Sequence, residues 1–291
     1  SVVGCLVGVN DEKGYITGCY TTGNASATTT VEGGLVGGNY GNINKCYSTG
    51  NVTGNERVGG LVGQNNGAII DCYVTGDVSG DNQVGGLVGL SYYHIINCNT
   101  TGNVSGVSMV GGIAGIFQGD TLSTCSATGT VSTTDGLAGG LVGLNIQSDI
   151  VSSFASGDVS GESEVGGLVG INTYYGNITN CYATGSVTGE DLIGGLVGVN
   201  GEQYVEGNIR NSYAVGAVSG STDAGGLVGK FISGSIEYSY YDKETTGQND
   251  TGKGVPGTTA EMMQKSTFET WDFTDIWKIN DSISYPYLRW Q

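Results

Sequence analysis

The sequence predicts an all-β protein: a parallel β-helix, or β-solenoid, of about nine coils, closed by a small C-terminal cap containing a short helix. Three observations carry this expectation. A GGLVG core recurs nine times at spacings of 26 to 31 residues. Each copy continues into a block with two-residue alternation. The 55 glycines and 2 prolines punctuate short apolar runs instead of filling long polar stretches.

The core begins at Gly33, Gly59, Gly85, Gly139, Gly166, Gly194 and Gly225, with variants at Gly4 (GCLVG) and Gly111 (GGIAG). An Asn commonly follows two residues after the core, as at Asn39, Asn65, Asn145, Asn172 and Asn200, where a turn is expected. An aliphatic residue comes next in every copy, among them Ile43, Ile69, Leu122 and Ile178. Three residues later stands Cys or Ser, then usually an aromatic, then T-G-x-V-S/T-G. A helix would lose about 1 kcal/mol at each of these glycines. Short strands joined by Gly and Asn turns accommodate them. Propeller blades need roughly 40 residues, whereas 26 suits one coil of a parallel β-helix. Coils of that length usually wind right-handed, the hand expected here.

Alternation assigns the faces. In Cys72-Tyr73-Val74-Thr75-Gly76-Asp77-Val78-Ser79, Cys, Val, Gly and Val point inward and Tyr, Thr, Asp and Ser outward. Strict alternation cannot bury Val58, Leu61 and Val62 together, so a bend near the Gly pair must turn Leu61 inward. Stacked coils then form ladders of identical residues along the axis, spaced by about 4.8 Å.

Composition excludes several classes. No Gly-X-Y period runs through the chain, so it is not collagen. With 38% hydrophobic and 13% charged residues it is not a disordered polyelectrolyte. A net charge of −17 gives no electrostatic support to nucleic-acid binding. No apolar run is long enough to span a membrane, so no direct membrane insertion is expected. The numbering opens at Ser1-Val2-Val3-Gly4, inside a repeat, which reads as a fragment or processed product of a longer chain.

The recurring G-G-L-V-G followed by C-Y-x-T-G-x-V resembles the GLUG-motif repeat family over residues 1 to about 240. Such repeats occur in large bacterial and archaeal surface proteins, including adhesin-like proteins and some immunoglobulin-A peptidases. The resemblance implies an extracellular or cell-surface, non-catalytic stalk or adhesive region. A peptidase would need its catalytic domain elsewhere. The segment from Phe268 to Trp290 also resembles the stretch that commonly closes these arrays.

Residues 1–241 are read as the solenoid and 242–291 as the cap. Gly periodicity stops near residue 242, and all three Trp follow it. Thr258-Thr259-Ala260-Glu261 matches a capping box opening a helix from about Thr259 to Lys265. Trp271, Phe273, Trp277, Tyr287, Leu288 and Trp290 are suited to cover the last coil, because solenoid ends expose unpaired strand edges.

Candidate chemistry is sparse. Cys19, Cys46, Cys72, Cys98, Cys125 and Cys181 lie one or two repeats apart without a C-x-x-C pair, so a buried ladder of reduced thiols is preferred to zinc or disulfides. Ser153, Ser212 and Ser239 share that slot. His94 is the only His, and no Lys/Arg/Asp cluster spans neighbouring coils as in polysaccharide lyases, so no catalytic residue is assigned and the chain is read as a non-enzyme. No cofactor is expected. Calcium has weak support from acidic turns at Asp81, Glu162, Glu190 and Asp191, none of which matches a calcium-loop pattern. The variable turns carry Tyr92, Tyr93, Tyr174, Tyr175 and Tyr204, candidates for a sugar-stacking patch. Partners under this reading are a host or matrix glycan or protein, or neighbouring copies of the chain. A polysaccharide-active β-helix enzyme is the competing reading.

Overall fold

The computed structural model describes residues 2–28 and 30–291. Each coil is built from five short strands. In the third coil these are Glu56–Gly59, Val62–Asn65, Ile69–Ile70, Tyr73–Val74 and Val78–Ser79. Each strand pairs in parallel with its equivalents above and below: Val58 opposes Val84, Val62 opposes Val88, Ile69 opposes Ile95, and Val78 opposes Val104. Among the described residues this stacking gives five parallel sheets of nine, nine, nine, ten and eight strands. The chain is therefore an all-β parallel solenoid of about nine turns. Register survives changes in coil length because extra residues loop out: Asn172 still opposes Asn200, and the longest coil places its surplus in a turn at Glu202–Val205.

The predicted alternation appears residue by residue. Cys72, Val74, Gly76 and Val78 are buried, while Tyr73, Thr75 and Asp77 are exposed. The predicted bend also appears. The chain turns at Gly60–Leu61, so Leu61 and Val62 enter the main core together with Ile69, Cys72 and Val74. Val58 and Val78 belong to a second, separate apolar column with Val84, Val104 and Val110. The coil is thus pinched into two compartments. The glycines make the pinch possible. A Cβ on Gly60 would lie 2.2 Å from the Gly86 carbonyl oxygen, and one on Gly76 would lie 2.1 Å from that of Gly50. Thr100 and Thr21 hydroxyls donate across the pinch to the Gly112 and Gly34 carbonyls, each at 2.8 Å. Fully burying each Leu or Ile of these columns contributes about 1.5–3 kcal/mol.

Three expectations need correction. The Asn after the core is not a turn residue. It ends the second strand, is buried, and stacks into an amide ladder: Asn10 donates to Asn39 and Asn39 to Asn65, both at 2.7 Å, and Asn145 to Asn172 and Asn172 to Asn200 at 2.8 and 2.9 Å. A buried amide needs partners, and a parallel stack supplies them from the next coil. Phe117 interrupts this ladder, which leaves Asn145 Oδ1 without a donor. The capping box forms as predicted, but the helix spans only Thr259–Met262, followed by a 3-10 turn at Lys265–Thr267.

The tail and the outward aromatics also depart from expectation. The open end of the last coil is closed by residues 241–257, not chiefly by the tryptophans. Tyr241 is fully buried in the column of Val74 and Ala214 and plugs the core against Gly226. Val255–Gly257 adds a tenth strand to the fourth sheet. Asp250 accepts from the Gly226 amide at 2.9 Å, and Lys253 donates to the Gly229 carbonyl at 2.7 Å, satisfying edge groups that would otherwise be free. The tryptophan segment instead folds back along the flank of coils six to nine. It covers Phe154, Tyr182, Tyr213 and Tyr240, residues the alternation places outside. Asp242 ties the parts together: its carboxylate accepts from the Glu244 and Thr245 amides, from Thr259 Oγ1 at 2.7 Å and from Tyr285 OH at 2.6 Å.

Candidate functional site

The fourth strand of each coil positions an aromatic ladder, because its first residue points outward in every coil. Tyr20, Tyr47 and Tyr73 stack with ring centroids 4.9 and 4.7 Å apart and planes within 6°. The next two rungs are polar: Ser126 Oγ donates to Asn99 Oδ1 at 2.8 Å. Stacking resumes with Phe154–Tyr182 and Tyr182–Tyr213 at 4.9 and 5.0 Å. The two stacks differ in environment. Tyr20 is 57% and Tyr73 41% exposed, against 6% for Tyr182 and 1% for Tyr213. Burial under the tail pushes the Tyr182 hydroxyl up to about 12.

Beside this ladder runs a second regular feature. The residue before each Cys or Ser rung adopts a left-handed conformation: Gly18, Lys45, Asp71, Asn97, Thr124, Ser152, Asn180, Asn211 and Tyr238. The tail reads this column with its indoles. Trp290 Nε1 donates to the Ser152 carbonyl and Trp271 Nε1 to the Tyr238 carbonyl, both at 2.9 Å. Trp277 Nε1 reaches Asn180 Oδ1 at 3.4 Å. The corresponding carbonyls of Gly18, Lys45 and Asp71 accept no hydrogen bond among the described residues. The alternation marks the tyrosines as outward but carries no signal for this contact, which joins residues up to 138 positions apart.

The structure aligns the cysteines. Cys46, Cys72, Cys98, Cys125 and Cys181 are buried, Cys19 is half-buried, and all are free thiols. Cys72 Sγ donates to the Ile70 carbonyl at 3.1 Å and accepts from the Cys46 amide at 3.4 Å. Ser153 and Ser212 make the same two bonds: each donates to a carbonyl two residues back and accepts from the Cys125 or Cys181 amide. One small donor-acceptor atom is therefore what the slot requires. Burial raises the Cys98 thiol well above its ordinary range and Cys181 to about 12, so both stay protonated.

The turn tyrosines are less concentrated. Tyr174, Tyr175 and Tyr204 are exposed, and each has a positive φ, uncommon for a bulky residue. The Tyr175 amide donates to the Glu206 carbonyl at 2.6 Å, which brings the two turns together. No ring contact joins the three side chains among the described residues. Tyr92 and Tyr93 lie in another turn, where Tyr93 meets the His94 ring edge-on at 4.4 Å. His94 Nε2 lies 3.4 Å from Asp120 Oδ2.

Of the acidic turn residues, Glu162, Glu190 and Asp191 line one hollow with Asp135 and Glu164, while Asp81 lies apart. Burial, then the Asp191 and Glu202 charges, raises the Glu164 carboxyl. The described residues hold no group of three or more His, Cys, Asp or Glu side chains placed to bind a metal ion. Lys265, Lys278 and Arg289 share a hollow in the tail with Phe273 and Tyr287, and none is within ion-pair distance of a carboxylate among the described residues. The signal for it was the gathering of half the chain's ten cations after residue 242.

A further residue escaped the sequence reading. Glu32 occupies the valine column, opposite Val58, and is fully buried. No described donor meets its oxygens in good geometry. Burial, offset only in part by the Ala27 amide, pushes its carboxyl up to about 7.

Comparison with known proteins agrees with this architecture. The family model for the GLUG motif matches residues 54–79, 80–105 and 161–188. A protein of Evansella cellulosilytica, provisionally named a Gly-rich membrane protein, is 56% identical over 61 residues, a stretch covering 20% of this chain and 7% of that protein. This chain thus matches only a small part of its relative. No helix of the described residues is long and apolar enough to cross a membrane. A crystal structure from Bacteroides ovatus, provisionally named an immunoglobulin A1 protease, superposes with a TM-score of 0.53 over 94% of this chain and 75% of that one. At 22% identity, that likeness concerns the fold. With nine coils in one register and the motif matched in three stretches, the chain carries GLUG-motif repeats within a β-solenoid.

Proposed function

We propose that the chain is a non-catalytic structural or adhesive region of a secreted or cell-surface protein, acting as a rigid scaffold. One observation carries this reading: parallel register runs through nine coils, reinforced by internal Asn and Cys/Ser ladders and an outward aromatic ladder. Such a solenoid resists bending and holds its side turns at fixed spacing, which suits a stalk that displays binding surfaces. The acidic surface keeps an elongated scaffold soluble. Labelling of intact native cells with an antibody to the repeats tests the location, and signal only after lysis would overturn it. Incubation with acidic and neutral polysaccharides tests the absence of catalysis. Release of reducing ends or unsaturated sugars, abolished by one Asp substitution, would refute it.

Glycan binding through the turns is a second reading. It is favoured by the exposed, left-handed Tyr174, Tyr175 and Tyr204 on adjacent coils, since strained exposed residues concentrate at binding sites. A glycan array comparing the chain with the Tyr174/Tyr175/Tyr204→Ala variant tests it. Unchanged binding would remove that patch.

A further inference from the structure

We propose that the bare aromatic flank of coils one to three is a docking surface for a tryptophan-bearing peptide segment of another protein. The covered flank of the same molecule shows what such a surface binds. On coils six to nine, stacked rings and left-handed carbonyls are engaged by indoles that pack on the rings and donate Nε1–H to the carbonyls of Ser152 and Tyr238. Coils one to three repeat both elements. Tyr20, Tyr47 and Tyr73 form the stack, and the carbonyls of Gly18, Lys45 and Asp71 stand beside it with no hydrogen-bond partner among the described residues.

The chain's own tail does not reach this surface. It is held on the far coils by Trp271, Trp277 and Trp290, and the polar rungs Asn99 and Ser126 separate the two flanks. A second copy's tail would first have to leave those same contacts. The ring orientation also selects the ligand. Rings stacked face to face turn their edges outward, which suits tilted or edge-on contact with an indole and hides the faces that a sugar ring would cover. An indole combines a large apolar ring with an N–H that only donates, which suits an open carbonyl beside stacked rings.

The test uses a fluorescein-labelled peptide of residues 258–291 as the probe and the whole chain as receptor, read by anisotropy. Saturable binding is expected. It should weaken at least tenfold with Tyr20→Ala, Tyr47→Ala and Tyr73→Ala combined, and also when the peptide indoles are Nε1-methylated. Tyr47→Phe preserves the stack and should retain binding. An unchanged thermal melt of the triple variant shows that loss reflects the surface rather than unfolding. No saturable binding, equal binding by the triple variant, or full binding by the methylated peptide would each overturn the proposal, as would a glycan captured by this flank in the peptide's place.

Discussion

The first three coils and the last four are the same repeat with opposite fates on one flank. Both stack aromatic rungs at nearly the same spacing, yet one stack faces solvent and the other is sealed by the tail. The end coils differ in the same sense. The last is plugged by Tyr241 and extended by Val255–Gly257, while at the other end the second coil carries Glu32 between Val3 and Val58. In a solenoid each coil is stabilised mainly by its neighbours, so local additions and defects stay local. Identical repeats therefore need not have identical stability, and the difference comes from what leans on them.

Removing an indole from the sealed flank should show the contrast most strongly. Trp277 is fully buried and lies 6.1 Å from Tyr182, 6.0 Å from Tyr213 and 4.5 Å from Trp271, ring to ring. Trp277→Ala should cost about 3–5 kcal/mol in denaturant unfolding. Tyr47→Ala, the equivalent truncation on the bare flank, should cost about 1 kcal/mol or less, the scale of one cross-strand pair. Equal costs would mean that the tail adds nothing to the coils beneath it.

The Glu32 defect makes a pH-dependent prediction for the open half. Its folded-state value of about 7 lies above its ordinary range, so the folded chain binds the proton more tightly than the unfolded chain does. Below pH 4 both states are protonated and the group is neutral in effect. As pH rises from about 4.5 to 7 the unfolded state ionises first, and stability falls by at most about 3 kcal/mol in total. Glu32→Val should therefore stabilise by up to that amount at pH 8 and far less at pH 4. Denaturant melts at both pH values check it, and a gain independent of pH would assign the effect to packing alone.

Much of this was legible in the sequence because ladders repeat. Nine copies of one pattern fixed the faces of Cys72 to Ser79 and demanded a bend at Gly60–Leu61. What was not legible depends on contacts between stretches distant in sequence. Outward periodicity at Tyr182 cannot report that Trp277 will lie over it. Asn65 reads as a turn residue in one coil, and only the stack of Asn39, Asn65 and Ser91 shows why it is buried. Glu32 looks like a surface acid until its register with Val58 places it inside. The turn tyrosines were visible as exposed aromatics, whereas their spatial grouping rests on irregular turns that no period governs.

The smallest effect concerns a slot that both halves share. Cys98→Ser should change stability by less than about 1 kcal/mol, since Ser153 and Ser212 already make the same two hydrogen bonds. Cys98→Ala loses a donor and leaves a buried carbonyl poorer, costing about 1–3 kcal/mol. Thiol titration of the unfolded, non-reduced chain should find all seven cysteines free. Fewer would indicate disulfides between coils.

Hydrogen exchange followed coil by coil tests directly whether neighbours and the tail grade the stability of identical repeats. Backbone amides of coils six to nine should exchange only through global unfolding, while those of coils one to three should open at lower free energy, and more readily at pH 8 than expected from intrinsic rates. Uniform protection along the solenoid, or the slowest exchange in the first three coils, would contradict it.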